Sequence, residues 1–258
     1  TLGRGGDLYR CRAGHGRRAG ERQERKDFVT HIEVAATAAE ALGEVADGST
    51  VMISGFGRAG QPVELVEALL EQGATDLVIV SNNAGNGEDP LARLIQAGRV
   101  RKMVCSFPRQ ADSWHFDAAY RAGSIELELV PQGNLAERIR AAGAGIGAFY
   151  TPTGFGTPLA AGKETRRIAG VDHILELPLH ADVALVRAHR ADGAGNLVYR
   201  KTARNFGPVM ATAARRTVVQ VDDVVPVGGI DPEVVVTPGI YVSAVVAVGA
   251  RVREEAPV

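Results

Sequence analysis

The sequence has two cysteines in 258 residues, Cys11 and Cys105. That excludes a disulfide framework, offers no metal-ligand spacing and suits a reducing, cytoplasmic setting. It has no run of about 18 apolar residues, so no membrane-spanning helix is expected. It has no large excess of charge. The formal net charge is -1 with 23% charged residues, so the chain as a whole does not point to nucleic acid. The six histidines show no metal-ligand spacing. What remains is an ordinary composition, 45% hydrophobic, which suits one large domain or a domain with a subdomain.

The charge is unevenly placed. Residues 1–26 hold eight Lys and Arg against Asp7, Glu21 and Glu24, a surplus of five. They lack the apolar core of a secretory signal. Their Gly/Arg bias also admits a transit peptide or a nucleic-acid arm. The expectation is that residues 1–28 are a disordered or non-native extension and that the chain proper begins near Val29.

From Glu33 the pattern becomes regular. Ala35–Val45 has helical spacing, and Thr50–Ser54 reads as a short strand. A glycine turn, Gly55–Gly60, follows. Pro62 then opens a helix, where its missing N–H costs nothing, and Gly73 closes it. The alternation continues with strands at Leu77–Val80, Val100–Cys105 and Ile125–Val130. Helices are expected at Pro90–Gln96, Ser113–Ala122 and Leu135–Ala142. Gly143–Gly162 is a Gly/Pro-rich loop insertion. Strands resume at His173–Glu176, Val183–Ala188, Leu197–Tyr199, Thr217–Val221 and Val242–Val248, with a helix at Val209–Ala214. Such alternation implies an α/β fold, an open, mostly parallel sheet with helices on both faces.

Gly55-Phe56-Gly57-Arg58-Ala59-Gly60 matches G-x-G-x-x-G between a strand and a helix. In the dinucleotide reading the glycines let the backbone approach a pyrophosphate. The next strand should then end in Asp or Glu to hold a ribose, but it ends in Ser81-Asn82-Asn83. That argues against a nicotinamide-dependent oxidoreductase. Another phosphate-bearing ligand, or a tight turn with no ligand, stays open.

Two strand ends carry amides: Ser81-Asn82-Asn83-Ala84-Gly85 and Val130-Pro131-Gln132-Gly133-Asn134. Amides there can donate to a carbonyl oxygen that becomes an oxyanion. Alternatively, Asn82 and Asn83 make a turn and Gln132 caps a helix. A nucleophile is harder to find. Ser54 precedes a glycine, but Met52 stands where a nucleophile elbow needs one. His180 and Asp182 could pair, though packing or exposure explains them as well. Cys105 ends an apolar strand and reads as an inert thiol. Trp114 and Phe116 read as packing residues. Lys201 and Arg204 could meet phosphates or a partner, or form a solvated face.

Together these residues resemble a known family. Asp47-Gly48-Ser49-Thr50 through Gly60-Gln61-Pro62 is similar to the signature of the A (alpha) subunit of family I CoA-transferases, which convert 3-oxoacids. The likeness runs over about residues 31–248. It includes Ser81–Gly85, Val130–Gly133, Tyr150–Thr157 and Ala203-Arg204-Asn205-Phe206. Cys105–Gln110 and Gly162–Arg166 look most like the branch that uses succinyl-CoA and 3-oxoadipate in aromatic catabolism; the acetoacetate-type branch is the alternative. The resemblance implies no tightly bound cofactor, with a coenzyme A thioester as substrate. It implies a ping-pong reaction through a glutamate on a B subunit, in a Ser-Glu-Asn-Gly context absent here, and an assembly of two A and two B chains. By resemblance Gln132, Asn82 and Asn83 line the oxyanion site. Ser54, Gly55, Phe56, Gly57, Arg58, Ala59 and Gly60 form the CoA-binding turn. Ser54 departs from the family, which usually has glycine there. Residues 1–26 have no counterpart.

Overall fold

The computed structural model describes residues 32–249. The expectations for residues 1–28, including Cys11, lie outside them. The first described strand, β1 (Glu33–Ala35), leads into α1 (Ala38–Leu42). The expected helix over 35–45 is therefore shorter than its pattern suggested. Thr37 sets its start. Its hydroxyl accepts from Glu40 N at 3.1 Å, and the Glu40 carboxylate accepts from Thr37 N at 3.3 Å. This reciprocal cap satisfies two N-terminal donors. Gly43, at φ 54°, ends the helix.

The chain then alternates through β2 (Thr50–Ile53), α2 (Val63–Gln72), β3 (Leu77–Val80), α3 (Pro90–Gln96), β4 (Val100–Cys105), α4 (Trp114–Arg121), β5 (Glu126–Leu129) and α5 (Gln132–Ala144). The short strands β6 (Phe149–Thr151), β7 (Thr165–Ile168) and β8 (Val171–Glu176) follow. Next come β9 (Ala181–Arg187), β10 (Arg190–Asp192), β11 (Leu197–Val198), α6 (Gly207–Ala213), β12 (Ala214–Val221), β13 (Asp223–Val225) and β14 (Ala244–Ala247).

Eight strands form one sheet in the order β1-β14-β12-β9-β2-β3-β4-β5. All of its pairings are parallel. Alternate residues feed two cores. Val51, Ile53, Ile79, Met103 and Leu185 pack under α1 to α4, with Leu42, Leu65, Leu69, Leu94 and Phe116. Met52, Val80, Val104, Val186 and Val219 pack under α5 and α6, with Leu135, Ile139 and Met210. A sheet covered on both faces needs such apolar strands.

Three differences from the sequence reading have physical causes. The 143–162 stretch is not wholly irregular. Helix α5 starts at Gln132 and continues through Gly143, where α6 lies so close that a Cβ would meet Thr212 Oγ1 at 2.0 Å. β6 then joins β8 and β7 in a small antiparallel sheet. Second, β7, β10 and β13 carry charged residues and have little apolar pattern to betray them. Third, Phe116 is buried, but Trp114 is 51% exposed and does not pack in the core.

Candidate active site

Chain order reverses between β2 and β9: β3 to β5 lie on one side, β12 and β14 on the other. In open α/β sheets, ligands bind outside the carboxyl ends of strands at such a switch point. The glycine turn emerges there, from the end of β2.

Ser54 organises that turn. Its N–H donates to Leu185 O at 3.0 Å, its hydroxyl donates to Gly60 O at 2.8 Å, and its Oγ accepts from Arg187 N at 3.1 Å. The hydroxyl thus closes the turn and joins the ends of β2 and β9, a task that glycine could not perform. Phe56 and Ala59 exchange two backbone hydrogen bonds, at 3.0 and 3.2 Å, so the turn is a small hairpin with Gly57 and Arg58 at its tip. These two N–H groups are spent inside the turn and do not point at a pyrophosphate.

Gly60, at φ 78°, lies against the next layer of backbone. A Cβ there would meet Ala203 O at 2.5 Å. Asn205 completes the joint: its Nδ2 donates to Ala59 O at 2.8 Å and to Thr202 O at 2.7 Å. The Lys201–Arg204 turn is thereby pinned to the glycine turn. Lys201 has φ 50°, an uncommon conformation for a residue with a side chain.

Beside these turns lies a cleft of about 560 Å³, lined among others by Arg58, Arg187, His189, Arg200, Lys201 and Asp222. Asp222 accepts from Arg187 Nη2 at 2.7 Å, and one of its oxygens lies 3.0 Å from His189 Nδ1. Burial opposes the Asp222 carboxylate, but the His189 hydrogen bond and the Arg187 guanidinium outweigh it and hold its pKa below the usual range.

On the other side of the switch point, the amides after β3 and β5 meet. Gln132 Nε2 donates to Asn82 Oδ1 at 2.8 Å, and Ser106 Oγ donates to the same oxygen at 2.7 Å. Asn82 is buried, at 3% exposure, and Gln132 is exposed. With its carbonyl doubly engaged, Asn82 keeps Nδ2 as a donor with no protein acceptor among the described residues. Asn83 stands beside it. Its Oδ1 accepts from Gly85 N at 3.1 Å, which is the turn role. Gln132 is the first residue of α5, after Pro131.

The structure therefore brings Gln132 to Asn82 across 50 residues. It places Ser54–Gly60 on the neighbouring strand end. Lys201 lines the cleft, while Arg204 is not among its lining residues. Sequence reasoning missed Ser106, Arg187, His189, Arg200 and Asp222. Ser106, Arg187 and Asp222 each follow or end a strand at its carboxyl edge, which was the available signal.

No nucleophile accompanies the amides among the described residues. The Cys105 thiol is fully buried, and desolvation pushes its pKa up to about 12. The Ser54 hydroxyl is committed to its turn. Neither Ser54 nor Ser106 has a histidine or carboxylate as hydrogen-bond partner. No described helix is long and apolar enough to cross a membrane.

A parallel sheet with an amide pair at the carboxyl edge of its strands defines an open α/β protein. Comparison with known proteins makes this specific: a family model for coenzyme A transferase matches residues 35–248, and the chain belongs to that family. It is 64% identical over 210 residues to the A subunit of the 3-oxoadipate CoA-transferase of Pseudomonas putida, covering 81% of this chain and 91% of that one. Its identity to the Acinetobacter baylyi protein of the same name is 60% over 223 residues, covering 86% and 98%. The A subunit of the succinyl-CoA:3-ketoacid coenzyme A transferase of Xanthomonas campestris is 50% identical over 204 residues, covering 79% and 84%. Among solved structures, glutaconate coenzyme A-transferase of Acidaminococcus fermentans has the same fold, with TM-score 0.73 at 21% identity over 83% of this chain and 75% of that one. An acyl-CoA transferase of Escherichia coli O157:H7 gives 0.75 at 21% identity over 89% of this chain and 52% of that one.

Proposed function

We propose that this chain is the A subunit of a cytoplasmic CoA-transferase that moves CoA from succinyl-CoA to a 3-oxoacid, with 3-oxoadipate as acceptor. The observation that supports this reading is the contact between the Gln132 and Asn82 amides, with no nucleophile beside it among the described residues. The names of the relatives at 64% and 60% identity support both the acceptor and the subunit role. The domain runs over residues 29–258, and the partner is a B subunit in an assembly of two A and two B chains.

On the B subunit, a glutamate attacks the thioester carbonyl and forms an acyl anhydride as CoA thiolate leaves. The thiolate then attacks the glutamyl carbonyl, giving a glutamyl-CoA thioester and free succinate. The 3-oxoacid carboxylate takes the glutamyl-CoA through the same two steps in reverse. Each addition puts negative charge on a carbonyl oxygen. In this proposal Gln132, Asn82 and Asn83 supply the donors to it, the type of contact that dominates many acyl transfers. Ser54–Gly60 is the turn against which the CoA lies, as a substrate and not a resident cofactor.

A second reading is an acetoacetate-type acceptor, favoured by the Xanthomonas relative at 50% identity. The nicotinamide reading loses ground, because Phe56 and Ala59 spend their N–H groups on each other and Asn82 stands at the ribose position.

Co-expression with a candidate B subunit tests the proposal. The pair is expected to transfer CoA from succinyl-CoA to 3-oxoadipate faster than to acetoacetate, and this chain alone is expected to be inactive. Full activity of the isolated chain, or tight NAD binding, would overturn it. The reverse acceptor preference would replace the first reading with the second.

A further inference from the structure

Among the described residues, the most deeply buried carboxylate is Glu176, at 2% exposure. It ends β8, in the small antiparallel sheet, and the reaction proposed above does not use it. Its Oε1 accepts from Lys163 Nζ at 2.6 Å and from Asn134 Nδ2 at 3.3 Å, and its Oε2 lies 3.8 Å from Arg138 Nε. Arg138 in turn donates to Glu128 Oε1 at 2.7 Å, and Lys102 Nζ lies 2.8 Å from Glu128 Oε2. Alternating charges therefore run from the small sheet through α5 to β5 and β4 of the large one. Taking a carboxylate out of water is costly, and even a paired one adds little stability over packed apolar residues. What such a group fixes is geometry.

The element held here is the start of α5. Asn134 and Arg138 are four residues apart, on one face of the helix, and that face meets Glu176. Leu135 and Ile139 pack in the core under the large sheet. Gln132, the first residue of α5, stands two positions before Asn134. This first turn has two weak points. Pro131, at the cap position, brings no side-chain hydrogen bond, and Gly133, a poor helix former, has open space where a Cβ would be. Asn134 supplies a restraint. It is buried, and its Nδ2 donates to Thr153 O at 3.0 Å as well as to Glu176. The turn is thereby tied to the segment after β6 and to the end of β8, with Gln132 Nε2 on Asn82 Oδ1 at 2.8 Å.

We propose that Glu176 is a positioning residue for CoA transfer: its carboxylate anchors Asn134, and Asn134 sets the first turn of α5 so that the Gln132 amide stays on Asn82 and faces the reacting carbonyl. Glu176 acts through Gln132 and not on the substrate. This rests on the CoA-transferase reading of Gln132.

The test uses the full chain assembled with its B subunit. Asn134→Ala and Glu176→Ala are made in wild type and in Gln132→Ala, and steady-state transfer from succinyl-CoA to 3-oxoadipate is measured. Each is expected to lower kcat about 10-fold in wild type with the KM for succinyl-CoA unchanged, since a misplaced group costs turnover and not ground-state binding. In the Gln132→Ala background the same changes should alter kcat less than about 2-fold, because the residue they act through is gone. Should Glu176→Ala fail to assemble, Asn134→Ala carries the test, because Lys163 and Arg138 still pair Glu176. Hydrogen exchange gives a readout independent of activity. The Leu135 amide bonds Pro131 O at 2.8 Å and closes the first turn. It should exchange about 10-fold faster in Asn134→Ala, although alanine is the better helix former.

Wild-type kcat in Asn134→Ala would overturn the proposal. So would equal losses in the wild-type and Gln132→Ala backgrounds, since Glu176 would then act on the fold at large. Unchanged Leu135 exchange would overturn the anchoring while leaving the functional reading intact. If the wild-type pair transfers no CoA, the functional reading itself fails, and the role in transfer falls with it.

Discussion

The Ser54 hydroxyl donates to the Gly60 carbonyl at 2.8 Å, so one side chain fixes both ends of the glycine turn. The same oxygen accepts the Arg187 amide at 3.1 Å. Ser54→Ala would leave a carbonyl and an N–H without partners at a buried site. A loss of about 1–3 kcal/mol of stability is expected. Urea unfolding of wild type and variant measures it, and an unchanged midpoint would show that the turn holds without the hydroxyl.

The Gln132–Asn82 contact gives a kinetic prediction. In the assembled enzyme, Gln132→Ala should lower turnover about 100-fold, as for loss of one oxyanion donor, with little change in KM for succinyl-CoA. Gln132→Glu keeps the size but presents an acceptor, and should be at least as damaging. Normal turnover in Gln132→Ala would remove this residue from the mechanism.

Cys105 is fully buried, and its thiol is pushed up to about 12, so at a pH of about 8 it is neutral and shielded. Its peptide should take up iodoacetamide only at the rate at which the protein opens. Peptide mapping by mass spectrometry distinguishes it from Cys11. Rapid labelling of Cys105 in the native protein would contradict the burial.

Asp222 links the site to pH. Its folded pKa lies below the ordinary carboxylate value of about 3.9. The stability it contributes is therefore fully present above the unfolded pKa and is lost as pH falls through the folded one. Thermal midpoints taken between about pH 6 and pH 3 should fall less steeply for Asp222→Asn than for wild type. Parallel curves would mean that the Arg187 and His189 contacts do not act on the carboxylate.

The alternating part of the fold was legible because its central strands are apolar on both faces and Pro and Gly mark helix ends, as Pro62 and Gly73 do for α2. β3, α3 and β4 fall where their sequence pattern puts them. The failures were local. Thr37 and Glu40 override the Ala-rich spacing that suggested a longer first helix. β10 and β13 consist of short, charged segments whose pairing is set by neighbours remote in sequence. At the site, Asn82 and Gln132 could be singled out because amides at strand ends are chemically distinctive. Their contact could not be, since it depends on β3 and β5 flanking β4. The basic cleft was hidden for the same reason: Arg58, Arg187 and Arg200 come from three separate stretches and converge only when the sheet is complete.

The outer position of β1 has a consequence for how the molecule is made. Among the described residues β1 pairs only with β14, through Glu33 opposite Ala244 and Val34 opposite Val245, and β14 in turn is built on β12. About two hundred residues must be synthesised before β1 has a neighbour. During translation that segment must wait, with Val34 and its hydrogen-bonding groups uncommitted, until β14 emerges. Closure of this edge is then a late, long-range step, the kind that slows folding and leaves an aggregation-prone edge in the meantime.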